Sequence, residues 1–170
     1  EKEYHVKWPQ LKTGEMKIRK LVDDMTGFSR KFENYDNWTA PEVVLDEFEK
    51  HLYDPSVIPI AHNGLGFDVY MHNTHRKVLG RESDYSYIER FIDTNAVAKG
   101  WKLQYNWEGK NRIAAQYQLL DHRVRGMKTS IKALCKEFGI EYDVDRAHHA
   151  TYDVSLMNQI FRKLINLTEI

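Results

Sequence analysis

VIPIAHNGLGFD, at positions 57–68, is the segment from which the fold class follows. Its first five residues form a short apolar run, which is typical of a strand that is buried on both faces. Pro59 has no backbone N–H. It therefore fits such a strand only at a position where no hydrogen bond to a neighbouring strand is needed. A turn with two glycines follows, and a helix is expected from Asp68 to about Leu79. Strand, turn and helix make half of a parallel α/β unit, whose sites lie at the carboxyl ends of the strands.

Two other segments predict strands. Phe91–Thr94 has the same polarity as the apolar run, and Tyr4–Trp8 alternates apolar and polar residues. Residues 10–38 predict loops and, near Ile18–Met25, one short helix. The predicted class is therefore α/β.

A capping box with proline in the first turn, Thr39–Glu42, predicts a helix between the first two strands. Its apolar face is Val44, Phe48 and Leu52.

Ser130 is predicted to cap another helix, which Gly139 ends. Its apolar residues are Ile131, Leu134 and Phe138. Cys135 falls on this pattern and is interpreted as core filler.

HHATYDV, at positions 148–154, opens the last predicted helix. The spacing predicts a buried face made of Val154, Met157, Phe161 and Leu164, with Ile160 and Ile165 beside them. Asp153 is expected in the first turn, close to the packed side, where a carboxylate needs a cation or a donor. His148 is expected on the loop that leads into the helix.

The composition predicts one globular domain, residues 1–170, with 42% apolar and 29% charged residues. The 25 basic and 25 acidic residues balance, so a nucleic-acid role would depend on where the charges lie. A single cysteine excludes an intrachain disulfide and fits a reducing, cytoplasmic environment. No apolar run approaches membrane-spanning length, so no membrane partner is expected.

Residues 99–128 form a long excursion that is rich in basic and aromatic residues. Eight lysines or arginines and two acids lie between Lys99 and Lys132. The interleaved aromatic residues are Trp101, Tyr105, Trp107 and Tyr117. This mixture is typical of a surface that follows a nucleic-acid backbone and stacks bases. An exposed β-hairpin braced by its aromatic residues explains the pattern equally well.

The two helix-starting acids, Asp68 and Asp153, indicate a metal-dependent chemistry. Carboxylates that converge from different elements repel each other, and hard oxygen ligands of this kind favour Mg²⁺ or Mn²⁺. Two such ions can activate a water and stabilise the leaving oxygen of a phosphodiester. A histidine beside them, such as His148, can take the proton from that water.

These residues resemble the motifs of the DEDDh class of 3′–5′ exonucleases, which includes proofreading subunits and three-prime repair exonucleases. His62–Asp68 is similar to the second motif, His-Asn-Gly-x-x-aromatic-Asp, and His148–Asp153 matches the third, His-x-Ala-x-x-Asp. Ile92–Thr94 and residues 130–140 resemble the Asp-Thr strand and the Ser-Leu-x-x-Leu…Phe-Gly-Ile helix between them. The resemblance runs from about residue 6 to residue 164.

The resemblance implies a ribonuclease H-like fold, a mixed sheet flanked by helices, and release of nucleoside monophosphates from 3′ ends. Asp68 and Asp153 would help to hold two Mg²⁺ or Mn²⁺ ions, and His148 would be the general base. His62 and Asn63 would lie near the terminal nucleotide. The implied partners are single-stranded or frayed 3′ ends, with DNA slightly favoured over RNA.

The first motif of the family, Asp-x-Glu, does not occur in these 170 residues. Because Tyr4–Trp8 resembles the third strand of the family, the first two strands are expected to be missing and the domain to be N-terminally incomplete. Alternatively, another chain supplies those strands, or the domain is a catalytically impaired module that binds nucleic acid. With Asp68 and Asp153 alone, at most one weakly held ion is expected.

A zinc hydrolase built on some of the eight histidines is a further interpretation. His148 and His149 are adjacent and diverge, and no His-x-x-x-His pair occurs on a helix, so this interpretation is disfavoured.

Overall fold

The structure is a computed structural model that describes residues 4–8 and 35–168. In these ranges the protein is mixed α/β: helices and strands alternate as far as the helix that follows residue 93, and three further helices come after it. A short 3-10 helix lies at Ile88–Arg90. The helices and strands are α1 (Pro41–Leu52), β1 (Ile60–Ala61), α2 (Asp68–Val78), β2 (Ile92–Asp93), α3 (Thr94–Lys102), α4 (Arg112–Asp121), α5 (Ile131–Phe138) and α6 (Ala150–Leu164). The helix predicted near Ile18–Met25 lies outside the described residues.

β1 and β2 form a parallel two-stranded sheet in which Ile60 pairs with Ile92 and Ala61 with Asp93. The strand predicted over residues 57–61 shortens to its last two residues, since Pro59 has no N–H to donate. β2 also ends early, because Asp93 is the N-cap of α3. The parallel strand and turn that open α2 are as predicted.

The predicted strand Tyr4–Trp8 makes one parallel bridge, between Val6 and Thr39. The N–H of Thr39 donates to the carbonyl of His5 at 2.9 Å, and the carbonyl of Thr39 accepts from the N–H of Lys7 at 2.8 Å. Thr39 is therefore held in an extended pairing and is not the cap of α1.

The capping box predicted for α1 is wrong for this reason. Ala40 is the N-cap and gives no side-chain hydrogen bond, while proline occupies the first turn as predicted. The buried face also differs from the prediction, because Leu45 and Leu52 are buried whereas Phe48 is 50% exposed.

The predictions for α5 are confirmed. Ser130 Oγ accepts from the N–H of Ala133 at 3.4 Å, and Gly139 ends the helix with a φ of +67°. Gly139 suits this left-handed conformation because it has no Cβ. Cys135 is fully buried in the core, as its interpretation as core filler requires.

The sheet lies between two apolar clusters. The first contains Ile92, Val97, Ala98, Leu134, Cys135, Leu156, Ile160 and Leu164, and Ile60 packs against it. The second contains Leu52, Leu65, Val69, Tyr87, Phe91 and Ile113, and Ala61 packs against it. Neighbouring strand residues thus face opposite clusters, as the period of two requires. α5 and α6 cover one face of the sheet and α2 covers the other.

The buried face of α6 agrees only in part with the predicted one. Leu164 and Ile160 are buried, but Leu156, which was not predicted, is buried as well, and Val154 is 51% exposed. Both stripes have helical spacing, and the packing of α6 against α3 and α5 selects the one that includes Leu156. Asp153 is half-buried and precedes Leu156 by three residues, so it lies at the start of the packed stripe.

The basic excursion is not a hairpin, since it contains the end of α3, a turn and α4. Its aromatic rings are partly used in packing. Trp101 lies 5.3 Å from Phe138, centroid to centroid, and Tyr105 lies 5.1 Å from Trp107. In the described ranges, none of the helices has the length and apolar composition needed to cross a bilayer.

Candidate functional site

Asp93 organises the carboxyl ends of the two strands. Its buried carboxylate accepts hydrogen bonds from the N–H groups of Asn63 at 2.9 Å and Leu65 at 3.0 Å. It also caps α3 by accepting from Asn95 at 2.9 Å and Ala96 at 3.4 Å. Four N–H donors offset the cost of burying the charge. The turn after β1 is thereby fixed to the start of α3.

Gln116 of α4 completes the outer edge of β2. Its Oε1 accepts from the N–H of Asp93 at 2.6 Å, and its Nε2 donates to the carbonyl of Phe91 at 3.1 Å. The side chain is buried and takes the place that a neighbouring strand would take on the ladder. Gln116 therefore holds the backbone of Asp93 in position at the outer edge of β2.

The turn between β1 and α2 depends on a close approach at Gly64. A Cβ there would lie 2.6 Å from Cβ of Ala61 and 2.7 Å from Cζ of Phe91, which is too close for any side chain. Asn63, just before it, has a φ of +63°, a left-handed conformation that asparagine tolerates better than most residues. The His-Asn-Gly order of the sequence is thus explained locally.

His62 lies at the end of β1 with its ring partly buried. Its Nδ1 lies 2.9 Å from Oγ1 of Thr94. Burial lowers the pKa of His62, while the charge of Asp93 and a hydrogen bond to the backbone of Thr129 act in the opposite direction. The ring therefore joins the start of α3 to the segment before α5.

Asp68 lies in the first turn of α2, as predicted, and lines a cavity of about 200 Å³ between α1, α2 and Trp8. The residue is exposed, yet desolvation of its carboxyl raises the pKa of Asp68. The charge of Asp93 raises that pKa further, and a hydrogen bond to its own backbone opposes the shift. A nearby cation would relieve this penalty.

Asp153 lies in the first turn of α6, as predicted, and its N–H donates to the carbonyl of His149 at 2.9 Å. Burial raises the pKa of Tyr142, and the charge of Asp153 contributes to that shift. His148 is exposed on the loop before α6 and has a φ of +68°. A histidine in this left-handed conformation is uncommon and merits attention as a functional candidate.

The structure brings His62, Asn63, Asp93 and Thr94 together at the ends of the strands. Asp68 lies close enough for the charge of Asp93 to act on it. In the part of the chain that the structure describes, no hydrogen bond or ion pair connects this group to Asp153 or His148. Convergence of Asp68 and Asp153 stays a prediction.

Metal binding can be tested against the side chains present. Within residues 4–8 and 35–168, no group of three or more His, Cys, Asp and Glu is placed to hold a metal ion. Asp68 and Asp153 offer hard oxygen ligands of the kind that Mg²⁺ prefers, but they do not make a full ligand set. The described residues alone do not fit a pair of ions.

The sequence does not identify Asp93, Asn95 or Gln116 as site residues. Asp93 was assigned only to a strand, although an aspartate directly before a helix is a common N-cap signal. Asn95, in the first turn of α3, has a buried Oδ1 without a hydrogen-bond partner among the described residues. No sequence signal distinguishes that amide from a surface one.

In comparisons with protein-family models, curated proteins and solved structures, nothing matches this chain.

Proposed function

We propose that this domain acts as a metal-dependent 3′–5′ exonuclease with a ribonuclease H-like fold, which hydrolyses phosphodiesters at nucleic-acid 3′ ends. The observation that supports it is the placement of the two motif acids. Asp68 and Asp153 each occupy the first turn of a helix, and neither carboxylate has a cationic partner among the described side chains. Partly desolvated, unpaired carboxylates favour a cation nearby.

In this proposal, Asp68 and Asp153 would help to hold Mg²⁺ or Mn²⁺. When bound, such an ion would stabilise the charge that develops on the phosphate. His148 accepts the proton of the attacking water, since it lies exposed on the loop before Asp153. The water oxygen bonds to phosphorus as the bond from phosphorus to the 3′ oxygen of the penultimate nucleotide breaks. That 3′ oxygen takes up a proton from solvent, and a nucleoside 5′-monophosphate leaves.

A nuclease assay tests the proposal. Single-stranded DNA and RNA of matched sequence, labelled at the 5′ end, are incubated with the full chain and Mg²⁺ or Mn²⁺. Because Asp68 and Asp153 alone should hold at most one ion, and only weakly, slow shortening by one nucleotide at a time from the 3′ end is expected. His148→Ala should lower the rate by about 10²- to 10⁴-fold, the usual contribution of a general base. Asp68→Asn and Asp153→Asn should abolish cleavage.

Asp145→Asn is the matched control, because Asp145 is an exposed acid on the loop that carries His148. It should cleave like the wild type. Equal rates for Asp145→Asn and Asp153→Asn, or no cleavage by the folded protein in either metal, would contradict the proposal. Binding of the oligonucleotides without cleavage would support the catalytically impaired module instead.

A further inference from the structure

A lysine-lined cavity of about 690 Å³ lies beside α5, on the side of the loops at residues 126–128 and 140–144. Its basic lining residues are Lys102, Lys128, Lys132 and Lys136, and its one acidic lining residue is Glu137. Part of this lining comes from the basic excursion that the sequence singled out. Three of the eight basic residues counted in that excursion therefore line the cavity, together with Lys136.

The charges in the cavity are only partly compensated. Lys102 Nζ pairs with Glu137 Oε2 at 2.6 Å and donates to the carbonyl of Lys128 at 3.0 Å. Within the described residues, no ion pair engages Lys128, Lys132 or Lys136. Lys132 and Lys136 are four residues apart on α5 and exposed, so their ammonium groups are presented on the same helix face. An anionic ligand is the natural complement of this arrangement.

The remaining lining is apolar and includes a ring. Tyr142 is half-buried, and Nζ of Lys132 lies 5.7 Å from its ring centroid. Met127, Ile140 and Val144 also line the cavity. Lysines that contact a backbone, next to an aromatic surface that contacts bases, are the combination that single-stranded nucleic acid requires.

The cavity adjoins the candidate site through one segment. Lys128 and Ser130 line the cavity, and the backbone of Thr129 between them contributes to the pKa of His62. His62 in turn lies at the carboxyl end of β1, next to Asp93. A ligand that contacts Lys128 or Ser130 in the cavity therefore touches a sequence neighbour of Thr129, whose backbone acts on His62.

We infer that this cavity binds the phosphate backbone of single-stranded nucleic acid and leads the strand toward the ends of β1 and β2. The role as a path to the site depends on the proposed exonuclease function, whereas binding itself does not. Lys128, Lys132 and Lys136 contact phosphates, and Tyr142 contacts a base or sugar.

Fluorescence anisotropy with labelled single-stranded oligonucleotides tests this inference. The full chain is titrated in EDTA, so that no cleavage occurs, at several salt concentrations. The double variant Lys132→Glu/Lys136→Glu should bind roughly tenfold or more weakly. Its slope of log affinity against log salt should fall by about 1.4, because each single-strand phosphate contact contributes about 0.7. Glutamate has nearly the helix propensity of lysine, so α5 should persist.

Lys77→Glu/Lys163→Glu is the matched control. It makes the same change of charge at exposed lysines of α2 and α6, and neither residue lines the cavity. This variant should bind like the wild type with an unchanged salt slope. Equal losses in both double variants, or no loss in the first, would overturn the inference.

Two further outcomes separate this inference from the proposed function. Binding that depends on Lys132 and Lys136 without cleavage supports the cavity and contradicts the nuclease. Cleavage together with binding that does not depend on these lysines supports the nuclease and contradicts the role of the cavity. Binding only to vesicles of phosphatidylserine and phosphatidylcholine, and not to oligonucleotides, would replace nucleic acid with an anionic membrane surface.

Discussion

At the scale of single residues, Asp93 makes the most hydrogen bonds that hold the candidate site together. A fully buried carboxylate is tolerated because four N–H groups point at it, two from the turn after β1 and two from α3. Removing the carboxylate would leave turn N–H groups buried without acceptors. The order of the turn that carries His62 and Asn63 therefore depends on a residue outside the motif.

Asp93→Ala is expected to lower the free energy of unfolding by about 3–7 kcal/mol. This adds the loss of a helix cap, about 1 kcal/mol, to two unsatisfied N–H groups at about 1–3 kcal/mol each. Urea unfolding followed by circular dichroism measures the change. Ser130→Ala is the control, since Ser130 caps α5 with one long, exposed bond and its loss should cost about 1 kcal/mol or less. Equal losses in the two variants would show that Asp93 is only a cap.

At the scale of elements, a charged network joins α1 to α2. Glu49 of α1 accepts from Nε2 of His72 at 2.9 Å, from Arg76, and from Arg81 at 3.2 Å. His72 Nδ1 also lies 3.0 Å from the hydroxyl of Tyr87. The Glu49 side chain is only 12% exposed, so its charge is largely shielded from water. Helix α2, which begins at Asp68, is oriented partly by this network.

Glu49→Gln is expected to destabilise the protein by about 2–4 kcal/mol, because two arginines lose a shared and mostly buried acceptor. The estimate lies toward the low end of buried pairs, since Arg81 is 31% exposed. Thermal unfolding measures the effect. Glu42→Gln, an exposed acid in the first turn of the same helix, should change stability by less than about 1 kcal/mol. If Glu49→Gln lowered the stability by no more than Glu42→Gln does, packing alone would hold α1 to α2.

The elements whose signals are local could be predicted from the sequence. Ser130 and Gly139 bound α5 through contacts within the helix ends, and Asp68 and Asp153 fall in first turns as their patterns require. Predictions failed where distant chain segments compete. Thr39 pairs with Val6 and does not cap α1, and the face of α6 is chosen by its packing partners. For the candidate site, the residues near β1 could be predicted, whereas Asp93 and Gln116 could not, because their roles exist only after β2 is placed.

At the scale of the whole molecule, the free energy of unfolding depends on pH through groups whose pKa shifts act in opposite directions. Burial lowers the pKa of His62 and of His75, and nearby His72 lowers that of His75 further. Below the unfolded value of 6.5 the unfolded chain therefore binds more protons than the folded one at these positions. Stability rises with pH up to that value. Asp68 acts oppositely and costs stability as pH rises from 3.8 through its raised pKa.

The urea concentration at the midpoint of unfolding should accordingly rise as pH increases toward 6.5. Above that pH the contribution of the histidines should stay constant. His75→Gln should make this rise shallower, because it removes one group that resists protonation in the folded state. A slope for His75→Gln equal to that of the wild type would exclude His75 as a source of the dependence.

The close contact at Gly64 has a consequence for how the turn can vary. Because the phenyl ring of Phe91 leaves no room for even a methyl group at Gly64, atomic contact sets the distance between the turn and the second strand. Any side chain at position 64 must therefore push β2 away from the segment that carries His62 and Asn63.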